Sequence, residues 1–204
     1  MKIAAIILGA GGASRFGSAK QLLEIDGETL IDRVGRVAAE AGCRPILRLL
    51  GAHAREISAG PANPEIITII NAGWQLGMGS TLALAVAELE YRAADCDAVF
   101  ILLCDQPLVD AAMLRPMIDQ LQQPGISIVL ADNGETTGPP ALFSKAHFAE
   151  LKQLTGDRGA KLVANQHPSA TATVPMPAAR WDIDSQELWT AFQNSRNPSQ
   201  ITGR

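Results

Sequence analysis

Apolar positions along this chain recur with two periods. "KIAAIIL" (2–8), "PILRLL" (45–50), "EIITII" (65–70), "AVFILL" (98–103) and "ISIVL" (126–130) are short, nearly unbroken runs of Ile, Val, Leu and Ala. Such runs predict parallel strands covered on both faces. Between them the spacing opens to that of a helix. Leu30, Val34, Val37, Ala38 and Ala41 share one face, with Gly42 placed as a C-cap. Leu82, Ala85, Val86 and Leu89 repeat the pattern, as do Leu114, Met117, Ile118 and Leu121 behind an N-cap at Asp110.

Strands alternating with helices imply right-handed βαβ units. The expected fold is therefore α/β, a three-layer Rossmann-like sandwich around a mostly parallel central sheet. Neither a Pro/Gly/Ser-rich linker nor an internal repeat divides the chain, so residues 1–192 read as one domain. Residues 193–204 read as a polar, frayed tail. In open α/β sheets ligands lie beyond the carboxyl ends of the strands. Three conspicuous segments fall there: the loop after residue 8, "CDQP" after residue 103, and "WDIDS" at 181–185.

Composition narrows the function. The chain has 204 residues, 47% hydrophobic and 19% charged, with a formal net charge of −4. That balance excludes a general nucleic-acid binder, which needs an excess of Lys and Arg on one face. No apolar run approaches the length of a membrane span. The opening "MKIAAIILGAGGAS" has the look of a signal peptide, but its short apolar stretch runs straight into a charged glycine loop, so a buried first strand is the better reading. Cys43, Cys96 and Cys104 lack C-x-x-C spacing, which points to a reducing, cytoplasmic setting.

The most informative stretch is "LGAGGASRFGSAKQLL" (8–23). A dinucleotide turn requires G-x-G-x-x-G, and Gly9-Ala10-Gly11-Gly12-Ala13-Ser14 fails at the last position. A P-loop requires G-x-x-x-x-G-K-[ST], yet Ser18 and Ala19 intervene between Gly17 and Lys20. A third reading fits better. Successive glycines let backbone N–H groups face phosphate oxygens. Arg15 and Lys20 add two cations suited to a triphosphate and its pyrophosphate leaving group. Read as an exposed loop residue, Lys20 is replaceable without loss of the fold.

Asp105 closes an apolar run and can present a carboxylate to Mg²⁺; an Asp before Pro107 can equally form a turn. Alternation puts Asp182 and Asp184 on one side of an extended stretch, with Ile183 facing the core. Asp184 either assists the metal or caps a helix starting near Ser185. Gly79 and Ser80 stand at a helix N-terminus, which suits an anion or a base edge; Ser80 can equally be a cap. His53, His147 and His167 form no recognisable triad, and His147 reads as a surface helix position, whereas Leu142, Phe143 and Leu151 read as core.

The pattern L-x-A-G-x-x-S-R-F-G-x-x-K-Q-L-L at 8–23 resembles the signature of the molybdenum cofactor nucleotidyltransferases, the cytidylyltransferases and guanylyltransferases that activate molybdopterin. The resemblance continues through "NAGWQLGMGSTLALAV" (71–86), "LLCDQPLVD" (102–110), "GPPALFSKAHFAELKQLTGDRGAKLV" (138–163) and "WDIDSQEL" (181–188), and so covers most of the chain. It implies a nucleotide-diphospho-sugar transferase-like fold and Mg²⁺-dependent transfer of a nucleotide to a phospho-acceptor. It assigns the nucleotide to Leu8, Ala10, Gly11, Gly12, Lys20, Gly79 and Ser80, and catalysis to Arg15, Lys20 and Asp105. The metal falls to Asp105 with Asp184, and the acceptor to Asp157 and Arg158. Ala10 sides with the cytidine branch, whereas Gly9 matches neither branch. The implied partners are CTP, molybdopterin and a client molybdoenzyme. Pro139 stands where the family carries a histidine, which leaves another phospho-acceptor, such as a sugar-1-phosphate, in play. A non-catalytic cofactor-handover module is the alternative outside enzymes.

Overall fold

The computed structural model describes residues 1–12, 16–60 and 63–196. Its first strand, β1 (Ile3–Gly9), is followed by a two-residue hairpin of β2 (Glu24–Ile25) and β3 (Glu28–Thr29). Asp26 and Gly27 turn that hairpin with φ of 55° and 80°, the left-handed values an Asp-Gly turn adopts most readily. Next come α1 (Leu30–Glu40), β4 (Ile46–Leu50), α2 (Ala54–Ile57), β5 (Ile66–Ile70), α3 (Met78–Arg92), β6 (Ala98–Leu103) and α4 (Ala111–Leu121). β7 (Ile128–Asp132), β8 (Thr137–Ser144), α5 (Phe148–Leu151), α6 (Lys161–Gln166), β9 (Thr171–Pro175) and α7 (Gln186–Arg196) complete the order.

The caps explain where the two first-face helices begin. Thr29 Oγ1 accepts the Asp32 N–H at 3.2 Å to start α1, and an Asp110 carboxylate oxygen accepts the Met113 N–H at 3.0 Å to start α4. The C-cap of α1 falls one residue before the expected glycine, at Ala41, with Gly42 following at φ 84°.

The described residues form a seven-stranded sheet in the order β5-β4-β1-β6-β8-β7-β9. All neighbours pair in parallel except β8, which is antiparallel to both β6 and β7. The sandwich expected from the sequence is present, and the sheet is wider than the five apolar runs suggest. β8 is hidden in sequence because "TGPPALF" reads as a turn, and proline cannot donate to a ladder. The structure resolves this conflict with a register shift. β8 pairs β6 only from Ala141 to Ser144, and its pairing with β7 skips from Ala141 to Gly138. Pro139 and Pro140 occupy that irregularity. β9 is equally hidden, because its Thr/Ala alternation lacks a strong apolar signal. The closing helix α7 runs to Arg196, into the segment expected to be frayed.

Alternate residues of each central strand feed two cores. Ala5, Ile7, Phe100 and Leu102 pack with Ile31, Val37, Leu114 and Met117 of α1 and α4 on one face. Ala4, Ile6, Val99 and Ile101 pack with Leu82, Val86 and Leu89 of α3 and with Phe148 and Leu151 of α5 on the other. A smaller cluster joins Ile25 and Leu30 to Ile183, Trp189 and Phe192. It clamps the C-terminal segment against the hairpin. No helix among the described residues is long and apolar enough to cross a membrane.

Candidate active site

The order β5-β4-β1-β6 reverses direction of travel between β1 and β6, so the carboxyl ends of these two strands flank a natural crevice. A cavity of about 480 Å³ lies there. Leu8, Ala10, Gly11 and Gly12 line it from the end of β1, Asp105 from the end of β6, and Lys20 from the short turn between β1 and the hairpin. Asp182 and Asp184 close it from the chain's last stretch. The Ile183 N–H donates to the Asp105 carbonyl at 2.9 Å, and the fully buried Ile183 side chain sits in the small core cluster. That anchoring turns both neighbouring carboxylates toward the cavity, as alternation predicts.

Among the described residues, the Lys20 ammonium sits in a cluster with three of the lining carboxylates. Lys20 Nζ donates to Asp105 Oδ2 at 2.6 Å and to Asp184 Oδ1 at 2.7 Å. Its side chain is only 13% exposed, so the expectation of an exposed loop lysine with little part in stability is corrected: among the described residues it supplies cationic counter-charge to the site. Burial disfavours the Lys20 charge, but Asp105 and then Asp184 outweigh it and raise its pKa. Asp182 departs from an ordinary acid. Burial, then the charge of Asp105 beside it, then Asp184, hold its carboxyl well above the usual range.

Two buried oxygens, Asp105 Oδ1 and Asp182 Oδ1, have no hydrogen-bond partner in the described structure. Leaving such atoms bare costs free energy. A surplus of negative charge with bare oxygen donors suits a hard divalent cation, and Asp105, Asp182 and Asp184 bring one carboxylate oxygen each within 4.8 Å of one another. Asp184 does not cap α7. Its carboxylate engages Lys20, and the Ser185 hydroxyl takes the capping position, accepting the Leu188 N–H at 3.3 Å.

Two residues without an assignment from sequence shape this cavity. Gln21 is buried, and its Nε2 donates to the carbonyls of Gly9 and Gly11 at 2.9 and 3.1 Å, pinning the glycine segment from below. Its place beside Lys20 in K-Q-L-L is the signal that could have found it. Trp74 walls the opposite side, its ring packed where a Cβ on Gly12 would come within 3.1 Å. Cys104 also lines the cavity, and burial pushes its thiol up, away from the reactive thiolate form.

Other sequence-predicted residues are placed differently. Arg15 lies outside the described residues. Gly79 and Ser80 stand in the first turn of α3 but not on the cavity wall. The Gly79 N–H is spent on the Gly156 carbonyl at 2.8 Å, and the Ser80 hydroxyl on the Gly77 carbonyl at 2.8 Å. The glycines of "GMGS" serve close packing. A Cβ on Gly77, which has φ of 97°, would lie 2.4 Å from the Gly156 backbone, and one on Gly79 would lie 2.8 Å from the Arg158 carbonyl. Asp157 reaches the cavity from that turn, whereas Arg158 is exposed and off its wall. Gly79→Ala is therefore expected to cost about 1–3 kcal/mol through overpacking. A lowered melting temperature together with faster proteolysis at residues 155–159 checks this, and an unchanged melt refutes it.

Gln106 of "CDQP" is structural as well, its Nε2 bridging the carbonyls of Pro139 and Ala179 at 3.0 Å each. His147, expected at the surface, is buried, while Leu142, Phe143 and Leu151 are core as anticipated.

A family model described as the MobA-like NTP transferase domain matches residues 5–171. The chain is 24% identical over 181 residues to the nicotine blue oxidoreductase of Paenarthrobacter nicotinovorans, spanning 81% of this chain and 83% of that one. The crystal structure of Rv0371c from Mycobacterium tuberculosis H37Rv in complex with manganese superposes with a TM-score of 0.77 at 26% identity, over 96% of this chain and 100% of that one. Molybdopterin-guanine dinucleotide biosynthesis protein A from Archaeoglobus fulgidus shares the fold with a TM-score of 0.70 at 15% identity, over 97% and 100%. This is the fold of the nucleotide-diphospho-sugar transferases.

Proposed function

The chain belongs to the MobA-like NTP transferase domain family, and from that premise we propose that it transfers CMP from CTP to molybdopterin, with Mg²⁺ as the divalent cation and pyrophosphate as leaving group. The observation that carries the reading is the juxtaposition of the glycine segment with Lys20, Asp105, Asp182 and Asp184 at the β1/β6 crevice.

In the reaction an acceptor phosphate oxygen forms a bond to the α-phosphorus as the bond to the β-phosphate oxygen breaks. Negative charge grows on the nonbridging and leaving oxygens, so positioned cations are the main catalytic requirement. The backbone of residues 10–12, held through the Gly9 and Gly11 carbonyls by the Gln21 amide, is suited to turning N–H groups toward the triphosphate. Lys20 would exchange its carboxylate partners for phosphate oxygens, with Arg15 as the second cation. Asp105, with Asp182 and Asp184, would hold Mg²⁺, whose charge when bound offsets that of the α-phosphate and leaving group. Asp157 and Arg158 are assigned to the acceptor side.

Ala10 supports cytidine on the family resemblance. Pro139 in place of the family's histidine favours, as a second reading, a nucleotidyl transfer to another phospho-acceptor, with GTP as the rival nucleotide. The bare carboxylate oxygens speak against a handover module, which needs no metal at an α-phosphate, and no nicotinamide-type G-x-G-x-x-G is present to support hydride chemistry. A reducing, cytoplasmic setting and a client molybdoenzyme belong to the same proposal.

The test is pyrophosphate release with Mg²⁺ and molybdopterin, comparing CTP, GTP, ATP and UTP. Turnover confined to CTP is expected. Turnover with GTP instead overturns the base assignment, and silence with all four from folded protein overturns the acceptor.

A further inference from the structure

At the other end of the sheet lies a second cluster that the reaction does not use. β8 delivers its last residue, Ser144, opposite Ala98 at the amino end of β6, whereas Asp105 follows the carboxyl end of β6. His147 lies three residues after β8, Glu150 lies one turn on in α5, and His167 is the C-cap of α6, shortly before β9. Three segments that the sheet order brings to one edge therefore converge. Glu150 bridges the two rings: its Oε1 lies 3.0 Å from His147 Nδ1, and its Oε2 lies 2.7 Å from His167 Nε2. The ring centroids are 4.6 Å apart and tilted by 55°, so the imidazoles converge rather than stack.

We propose that His147, Glu150 and His167 form a second metal site, for a borderline transition ion of the Zn²⁺ type, independent of the nucleotide crevice. Four observations carry it. The donor set is two imidazoles and one carboxylate, which favours such an ion over Mg²⁺. The donor atoms lie within 4.8 Å of one another, and the 2.7 and 3.0 Å hydrogen-bonded separations need open only slightly to reach the roughly 3.4 Å edge of a tetrahedral site with bonds of about 2.0–2.2 Å. His147 is buried and oriented by its other nitrogen, Nε2, which meets Ser127 Oγ at 2.8 Å. In the described structure Nδ1–H donates to the Glu150 carboxylate; on metal binding that proton would leave and Nε2–H would donate to Ser127 Oγ, freeing the Nδ1 lone pair for the cation, as outer-sphere partners of ligating histidines commonly arrange. His167 and Glu150 are each about one-third exposed, which gives the ion a path in and a position for water.

The ion would replace the hydrogen bonds of Glu150 with coordinate bonds and tie α5 to the turn entering β9. It acts as a staple across the half of the sheet that contains β7, β8 and β9, remote from the reacting groups.

The experiment uses the full chain carrying Asp105→Asn, so that the nucleotide-site carboxylates are weakened, stripped with a chelator and titrated with Co²⁺ while its visible absorption is followed. Zn²⁺ then displaces the Co²⁺. One equivalent should bind, and Zn²⁺ should raise the melting temperature. His167→Gln and Glu150→Gln, made separately at partly exposed positions, should each weaken binding at least about tenfold and abolish the Zn²⁺-dependent melting shift. No saturable Co²⁺ binding, or equal affinity in the parent and both variants, overturns the site. Because the readouts are absorption and melting, failure of the nucleotidyl-transfer proposal leaves this outcome untouched.

Discussion

Replacing Lys20 by alanine is expected to lower turnover by about 10²–10³-fold, the loss typical of removing one preorganised charge-stabilising donor, and also to destabilise the metal-free protein. The second effect follows from its position. Lys20 bonds Asp105 and Asp184 at 2.6 and 2.7 Å with 13% of its side chain exposed. Its removal leaves like charges facing one another in a crevice. The cost should be roughly 1–3 kcal/mol, below the ~3–5 kcal/mol of a fully buried pair, because Asp184 keeps 40% of its side chain in solvent. Saturating Mg²⁺ should restore much of that loss by supplying the missing cation. Melting curves with and without Mg²⁺, set beside pyrophosphate release, read both effects. Wild-type turnover in this variant would remove Lys20 from the chemistry altogether.

Asp105→Asn separates charge from shape. The carbonyl of residue 105 still accepts the Ile183 N–H, so the C-terminal segment stays anchored and the fold is kept. The charge that would hold the cation is gone. Turnover should fall by about 10³-fold or more, equivalent to several kcal/mol of lost charge stabilisation, and the Mg²⁺-induced rise in melting temperature should vanish. A pH signature accompanies this. Asp182 is held above the ordinary carboxylate range, first by burial and then by Asp105, so the folded protein binds its proton more tightly than the unfolded chain does. Its contribution is fully present below the ordinary carboxylate pKa and is lost as pH climbs through the raised value. Metal-free wild type should therefore lose stability toward neutral pH. The variant should show a shallower decline, because only the Asp105 part of the cause is removed. A variant that keeps both its Mg²⁺ response and the wild-type slope would contradict the assignment.

How far this chain can be read depends on whether a residue's role is local. Central parallel strands announce themselves because burial on both faces demands unbroken Ile, Val and Leu, whereas the nearly unbroken β5 is an edge strand exposed on one face, with Ile70 at 61%. Asp105 stands out as the polar residue ending one such run. The Asp182-Ile183-Asp184 alternation correctly puts Ile183 in the core. β8 is unreadable because Pro139 and Pro140 obey a register shift visible only once β6 and β7 flank them. Gly79 looks like an anion-site glycine; the reason for it, and for Gly77, is the 155–158 turn pressed against α3, a partner far along the chain. His147 misleads for the same cause. Nothing near it in sequence shows that Ser127 and His167 enclose it. The family match, ending at residue 171, likewise stops short of the two carboxylates that complete the crevice.

The clamp of Ile183 onto the hairpin also sets a schedule. Lys20 and Asp184 are 164 positions apart, and all seven strands of the sheet precede residue 176. During synthesis, which presents the N-terminal part first, the ribosome delivers a sheet with its glycine segment, Lys20 and Asp105 already in hand. The other two carboxylates arrive only when the final stretch emerges and docks. Until then the nascent chain has a scaffold without its acidic triplet, so competence for chemistry is acquired in one late step, after the architecture is built.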